Sequence, residues 1–341
     1  MTCYRPATLL LYEDIRGNKK TRYFPNRDNN LVPSFNHDDL KLENSQGFFD
    51  TYKFVKEYSV PCGKCIGCQL DRARDWSQRL MAEYKSSVNA YFITLTYDDE
   101  HLPKSNQLQK KEAQFFVKSL KDYFRKHFNF YGIKYYLVGE YGSSSWRPHY
   151  HLIVYNLPLD LKDFELLGLK APEKRFLFRL QEKEKCSSGF LYSSIFLNKM
   201  WNKGINRVGQ VSAESCAYVA RYCNKKISRD YDIKEALKEI NFQPEFMLCS
   251  KNLGKKWYLD NANNLLDNHL KITFNGKIVG LPRYFKKYVV GEDDPRVQCE
   301  TLKNEIHSSD TKWSQFGDKN DILKQCEDIK IQDSKKLKRK N

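Results

Sequence analysis

The sequence predicts an α+β fold, a central antiparallel sheet with helices packed against it, and three observations lead to this class. Apolar residues alternate with polar ones over 90–97, 134–141 and 147–155, the period of half-buried strands. They recur at helical spacing over 69–85, 111–128 and 212–229. The order is β-α-β-β…β-α, and a short turn-rich link joins the two middle strands.

Taken in order, residues 1–61 read as an irregular extension, with turn-rich stretches such as Pro25-Asn26-Arg27-Asp28-Asn29-Asn30. Gln69–Lys85 forms an amphipathic helix with Leu70, Ala73, Trp76, Leu80 and Tyr84 inward. Ala90–Tyr97 is a strand, and Lys111–Phe128 a helix with Phe116, Leu120 and Phe124 on one side. Lys134–Tyr141 and the strand ending at Tyr155 flank Gly142–Pro148 (GSSSWRP), which is turn chemistry, so they pair as a hairpin. After a long insertion, Arg207–Val211 is a further strand leading into the helix at Ser212–Arg229. The region 231–317 reads as accessory. Residues 318–341 are polar, end in Lys335-Lys336-Leu337-Lys338-Arg339-Lys340, and are expected to be a disordered basic tail. The expected division is 1–61, a core at 62–230, 231–317 and 318–341.

Two of the seven histidines, His149 and His151, sit one residue apart in the second hairpin strand. Side chains at i and i+2 of a strand share a face, so both imidazoles can converge on one ion. A strand with two histidines on a wet face is the alternative. In the hairpin, Glu140 falls beside both across the ladder. Two imidazoles and a carboxylate form a mixed site suited to Mg²⁺ or Mn²⁺, with positions open for substrate oxygens. Such a centre polarises a phosphoryl oxygen and orients an in-line attack.

The helix from Ser212 supplies a candidate nucleophile. Its serine can cap the first turn, although the usual acid three residues later is absent. At about 100° per residue, Tyr218, Tyr222, Lys225 and Lys226 cluster on one side. Cys216, Val219, Ala220, Cys223 and Ile227 take the other, which is small and apolar enough to pack on a sheet. A helical tyrosine ordinarily packs in a core with its hydroxyl at the rim. Here the core face is already occupied and the tyrosines lie among lysines. A phenol attacking phosphorus would give a phosphotyrosine, with an ammonium close by to hold the phosphate.

The ordered set Phe92-Ile93-Thr94-Leu95-Thr96-Tyr97, His149-Tyr150-His151 and Tyr218-Val219-Ala220-Arg221-Tyr222 resembles the three motifs of HUH endonucleases that start rolling-circle replication. Pro61-Cys62-Gly63-Lys64-Cys65-Ile66-Gly67-Cys68, Gly139-Glu140-Tyr141-Gly142 and Pro282-Arg283-Tyr284-Phe285 resemble the replication proteins of gokushovirus-type microviruses more closely, and the likeness runs from about Cys3 to Tyr288. It implies an HUH-type plate akin to ferredoxin and RRM folds. It also implies nicking and joining of single-stranded origin DNA, with Tyr218 or Tyr222 forming a 5′-phosphotyrosine and leaving a 3′-hydroxyl. Relaxases and transposases of the same group, and a basic single-strand binding or packaging protein without catalysis, are the alternatives.

Cys62, Cys65 and Cys68 form Cys-x-x-Cys-x-x-Cys just before a helix, a spacing that favours metal over disulfide inside a cell. A closed zinc site needs a fourth ligand, and the resemblance points to Cys3. An iron–sulfur cluster and unligated packing cysteines are the other readings.

A net charge of +16, from 58 Lys+Arg against 42 Asp+Glu, suits a phosphate-bearing partner. The 22 Tyr, 21 Phe and 5 Trp exceed what an ordinary core needs, and stacking on unpaired bases is one use for the surplus. No run of 18 apolar residues exists, and Leu9-Leu10-Leu11-Tyr12 is too short for a signal peptide, so the expected location is the cytoplasm of a bacterial host, away from membrane. Gly254-Lys255 and Gly276-Lys277 lack the remainder of a phosphate-cradling Gly-x-x-x-x-Gly-Lys-[Ser/Thr] loop. The chain is therefore expected to work without ATP and to borrow a host helicase and DNA polymerase.

Overall fold

The computed structural model of the protein describes residues 3–24, 40–43, 49–142, 145–186, 189–221, 239, 241–268, 271–274, 276–282, 284–285 and 319–338. The chain divides into two compact units, residues 1–71 with 302–341, and residues 72–301. The expected boundary at 61/62 is thus displaced, and the cysteine cluster belongs to the first unit.

That unit is not an irregular extension. Strands β1 (Ala7–Glu13), β2 (Lys19–Phe24), β3 (Leu40–Glu43) and β4 (Phe49–Val60) form an antiparallel sheet in the order β2-β1-β4-β3. Leu10, Tyr12 and Tyr52 bury one face, with Phe24 and Phe54 against them. Two features hid the strands. A register shift at Leu11/Tyr12 breaks the two-residue period. In addition, β2 and much of β4 are solvent-exposed and carry Lys, Arg, Glu and Thr, so they read as polar loop.

The expected disordered tail is also corrected, because Lys319–Lys338 is a helix. Leu323, Glu327 and Ile331, four residues apart, turn inward while Lys324, Gln325, Asp328 and Lys330 face solvent. Glu327, almost fully buried, accepts a hydrogen bond from Arg5 Nε at 2.7 Å. A charged stripe residue of this kind looks like solvated surface until its partner is known.

Helix α1 (Ile66–Ser86) carries the chain from the first unit into the second. Of its expected inward residues, Ala73 and Leu80 are buried and Trp76 is half-buried, whereas Leu70 and Tyr84 are exposed. Gln78, Ala82 and Glu83 are buried instead.

The second unit continues with β5 (Ala90–Tyr97), α2 (Lys110–Phe128), β6 (Lys134–Tyr141), β7 (Pro148–Tyr155), α3 (Leu161–Leu166), β8 (Leu180–Cys186), β9 (Gly189–Ser194), α4 (Ile195–Met200), β10 (Gly204–Gln210), α5 (Ala213–Arg221), β11 (Phe246–Cys249), α6 (Lys255–Asp260), α7 (Ala262–Asp267), β12 (Lys271–Phe274) and β13 (Lys277–Gly280). Among the described residues the main sheet has seven antiparallel strands in the order β11-β6-β7-β5-β10-β9-β8, the predicted α+β architecture. The insertion after Tyr155 extends one edge through β8 and β9. Strand β11, from the region expected to be accessory, closes the other. Gly204, at φ +149°, starts β10 where a Cβ would run into the Thr96 carbonyl, so only glycine fits.

Alternation splits the sheet into two faces. Ile93, Leu95, Leu137, Tyr150, Leu152 and Val154 pack beneath Phe116, Leu120 and Phe124 of α2, in a core that also takes Phe164, Phe178, Phe196 and Trp201. Each such side chain contributes about 1.5–3 kcal/mol on burial. Much of the aromatic surplus therefore serves packing rather than stacking on bases. The opposite face sets Val138, Ile153 and Tyr155 against Leu80 of α1 and Cys216, Val219 and Ala220 of α5. The functional side chains lie on this face.

Two motifs without an evident role in the sequence brace α1. Gly254 N–H donates to Glu83 Oε2 at 2.7 Å, and Glu83 Oε1 lies 2.8 Å from Lys134 Nζ. The Arg79 guanidinium sits 4.0 Å from the Trp76 ring centroid and 3.8 Å from that of Tyr284, while Phe285 stacks on Tyr258.

Candidate metal centre

The hairpin register places Glu140 directly opposite His149, and Val138 opposite His151. All three functional side chains emerge on one face, with Glu140 diagonal to His151. Glu140 Oε1 lies 2.7 Å from His149 Nε2 and 2.9 Å from His151 Nε2. Three ligands on one face of an octahedron, each about 2.1 Å from an ion, would stand about 3.0 Å apart. The set therefore fits a six-coordinate divalent ion, as the sequence leads one to expect.

Neighbouring groups hold the rings in this pose. His149 Nδ1 donates to the Arg147 carbonyl at 3.1 Å, since that oxygen can only accept, and His151 Nδ1 bonds Thr94 Oγ1 at 2.9 Å. Both contacts aim Nε2 at Glu140, the outer-shell arrangement usual for metal-binding histidines. Glu140 is only 3% exposed. Burial pushes its carboxyl upward, but hydrogen bonds from both imidazoles prevail and hold it at about 2.

Helix α5 delivers Tyr218 to this site. Its first turn is closed reciprocally: Ser212 Oγ accepts from Ser215 N–H at 3.2 Å, and Ser215 Oγ accepts from Ser212 N–H at 2.8 Å. Ser215 thus takes the place of the missing capping acid. Cys216, Val219 and Ala220 are fully buried against the sheet, which turns Tyr218, 38% exposed, toward the histidines. Its ring meets His151 edge-on at 5.4 Å and Phe92 at 6.3 Å, and Phe92 stacks on His151 at 5.5 Å. Tyr222, Lys225 and Lys226 lie outside the described residues. Thr94 and Phe92 were not singled out individually in the sequence, although the β5–β7 register, with Thr94 opposite His151, puts them here.

A second donor cluster lies in the first unit. Pairing of Ala7 with Val60 brings the start of β1 beside the end of β4, which places Cys3 against Cys62. Gly63, at φ +72°, makes the tight turn that returns Cys65 and Cys68 to the same spot at the start of α1. Cys3 Sγ is 3.6 Å from Cys62 Sγ and 3.7 Å from Cys65 Sγ, and Cys62 Sγ is 4.0 Å from Cys68 Sγ. These spacings are far too long for a disulfide. Four sulfurs placed tetrahedrally at about 2.3 Å from one ion would stand about 3.8 Å apart. Backbone N–H groups of Cys62, Lys64, Cys65, Cys68 and Tyr4 also point at the sulfurs. Contacts with Cys3 lead in holding the Cys62 thiol down to about 6 and in pushing Cys65 lower still. The chain therefore contains two groups that could hold a metal ion.

The sequence model for the replication-associated protein ORF2 family matches residues 90–227, a span that holds Glu140, His149, His151 and Tyr218 but not the cysteine cluster. Replication-associated protein ORF2 of Spiroplasma virus 4 is 33% identical over 273 residues, 76% of this chain and 78% of the relative. Replication-associated protein VP4 of Bdellovibrio phage phiMH2K is 30% identical over 241 residues, 69% of each chain. Replication-associated protein ORF4 of Chlamydia phage 1 is 30% identical over 251 residues, 72% of this chain and 58% of the relative. No solved structure matches. With the motifs in one sheet-and-helix frame and relatives of this kind across most of its length, the chain belongs to the replication-associated proteins of gokushovirus-type microviruses.

Proposed function

We propose that the protein initiates rolling-circle replication by nicking and rejoining single-stranded DNA at the origin. The observation that carries this reading is the convergence of Glu140, His149 and His151 on one point with the Tyr218 ring against His151. In this reading the three residues hold Mg²⁺ or Mn²⁺, and the bound ion polarises a phosphoryl oxygen of the scissile phosphate. The phenol oxygen of Tyr218 or Tyr222 bonds to phosphorus and gives up its proton. The bond to the 3′ oxygen breaks, and that oxygen leaves as a hydroxyl once protonated. The 5′ end stays on the tyrosine as a phosphodiester, so joining is the same exchange run backward with a second 3′-hydroxyl as attacker. Lys225 and Lys226 offset the negative charge that builds on the phosphate.

The four cysteines hold a structural zinc ion in the same proposal, since their separations suit one tetrahedral ion, whereas a cluster of several irons would spread the thiolates further. The partners are the single-stranded origin, a host helicase and a host DNA polymerase, in the cytoplasm of the bacterial host and without ATP. Among the described residues no helix is long and apolar enough to cross a membrane.

The test is cleavage of a labelled single-stranded origin oligonucleotide with Mn²⁺. Loss of an ion worth several kcal/mol to the transition state corresponds to a drop on the order of 10³-fold. His149→Ala and His151→Ala should each lose cleavage on that scale while binding DNA almost as the wild type does. Cleavage by either variant at the wild-type rate in saturating Mn²⁺ would overturn the assignment.

A further inference from the structure

A concavity of about 430 Å³ lies between α2 and the β6–β11 edge of the main sheet. It opens on the face that packs α2, opposite the face carrying His149, His151 and Tyr218. Lys118, Lys121 and Arg125 line it from α2 at three- and four-residue steps, which sets all three on one side of the helix. Asp122 is the one carboxylate in the lining and pairs with Arg125 at 3.1 Å, so two net positive charges remain. The far wall is aromatic. Asn129 ends α2 in the left-handed conformation, and the turned chain brings Phe130 and Tyr131 back to the groove, with Tyr131 69% exposed. A large aromatic ring left in water beside a row of cations serves no packing purpose.

We propose that this groove is a second binding site for single-stranded DNA, in which the cations of α2 hold the sugar–phosphate backbone and Tyr131 stacks a base. Three arguments favour this occupant. Cations spaced along a helix beside an exposed ring are the elements by which proteins grip unpaired strands without reading sequence. The volume falls in the range of about 300–1,000 Å³ that takes a small-molecule-sized group, here one nucleotide unit, and is too confined for a duplex. An acidic peptide would find charge complementarity but no use for the exposed ring. The site rests on the family's role with DNA and not on the metal centre. Its function would be to retain the strand behind the sheet while a distant phosphate reacts on the other face.

The experiment uses the full-length protein and a fluorescein-labelled thirty-nucleotide oligothymidine, with binding followed by anisotropy across a salt series. Loss of a stacking platform weakens single-strand binding about tenfold, and each phosphate contact on a single strand contributes about 0.7 to the slope of log K against log salt. Tyr131→Ala should therefore weaken binding about tenfold, and Tyr131→Phe should restore it. The triple variant Lys118→Ala/Lys121→Ala/Arg125→Ala should lower the slope by about 2. Cleavage of saturating origin DNA should keep its wild-type rate in both, whereas His149→Ala should lose cleavage and keep binding; the two proposals thus fail separately. Should the triple variant not fold, lysine acetylation footprinting of the wild type supplies the same answer, with Lys118 and Lys121 protected by the oligonucleotide. Unchanged affinity and slope in a folded triple variant, unprotected lysines, or tighter binding of free deoxynucleoside triphosphates than of the strand would overturn the proposal.

Discussion

At the scale of residues, the candidate site depends on one carboxylate placed where two imidazoles meet. Glu140 is buried, and the contacts that hold its carboxyl at about 2, against an ordinary 4.5, make its stabilising effect depend on pH. A depressed carboxyl contributes fully above its unfolded value and loses that contribution as pH falls through its folded one. In metal-free protein, the stability difference between wild type and Glu140→Gln should hold steady above about pH 5 and shrink between 4.5 and 2; urea melts across this range measure it. A difference that grew on acidification would show that Glu140 is not held ionised by the histidines. These residues were legible because an antiparallel hairpin with its turn in the right place fixes which residues oppose each other. Thr94 and Phe92 were harder to see. Their role comes from the β5–β7 register, which joins segments more than fifty residues apart, and nothing local in the sequence sets it.

At the scale of elements, packing on both faces of the main sheet turns the tyrosine helix outward and positions α2. The strands and helices of the second unit were legible because each buries one regular stripe. The first unit was not, for its strands are mostly solvated and one is bulged. Its cohesion relies on a small core, the Arg5–Glu327 pair and the cysteine cluster. Small units with little apolar burial commonly depend on a metal or a disulfide. Removing zinc with a strong chelator, or making Cys65→Ser, should lower the melting temperature of this unit by several degrees or more and leave the metal-centre hairpin intact. Metal analysis should find about one zinc per chain. Zinc-free purified protein together with unchanged melting of Cys65→Ser would count against the site, and a visible charge-transfer spectrum would indicate iron and sulfur instead.

At the scale of the whole molecule, the basic charge draws in nucleic acid and the sheet offers a reactive centre on one face. The absence of a phosphate-cradling loop from the sequence implies that the pure protein hydrolyses no ATP and cannot melt a relaxed duplex. It should nick supercoiled circles in preference to relaxed ones, and DNA-stimulated ATP hydrolysis would contradict this division of labour. Whole-chain properties of this kind were legible from composition and motifs, whereas the two-unit division was not, because its boundary falls inside a continuous helix. The central claim is that a tyrosine of the helix beginning at Ala213 becomes covalently joined to DNA at the metal centre. Incubating the protein with a labelled single-stranded origin and Mn²⁺, denaturing it, and mapping any labelled peptide tests this directly. The account expects a denaturation-resistant adduct on Tyr218 or Tyr222, absent from His149→Ala and from Tyr218→Phe/Tyr222→Phe. Cleavage with no adduct, or an adduct that survives loss of both tyrosines, would contradict it.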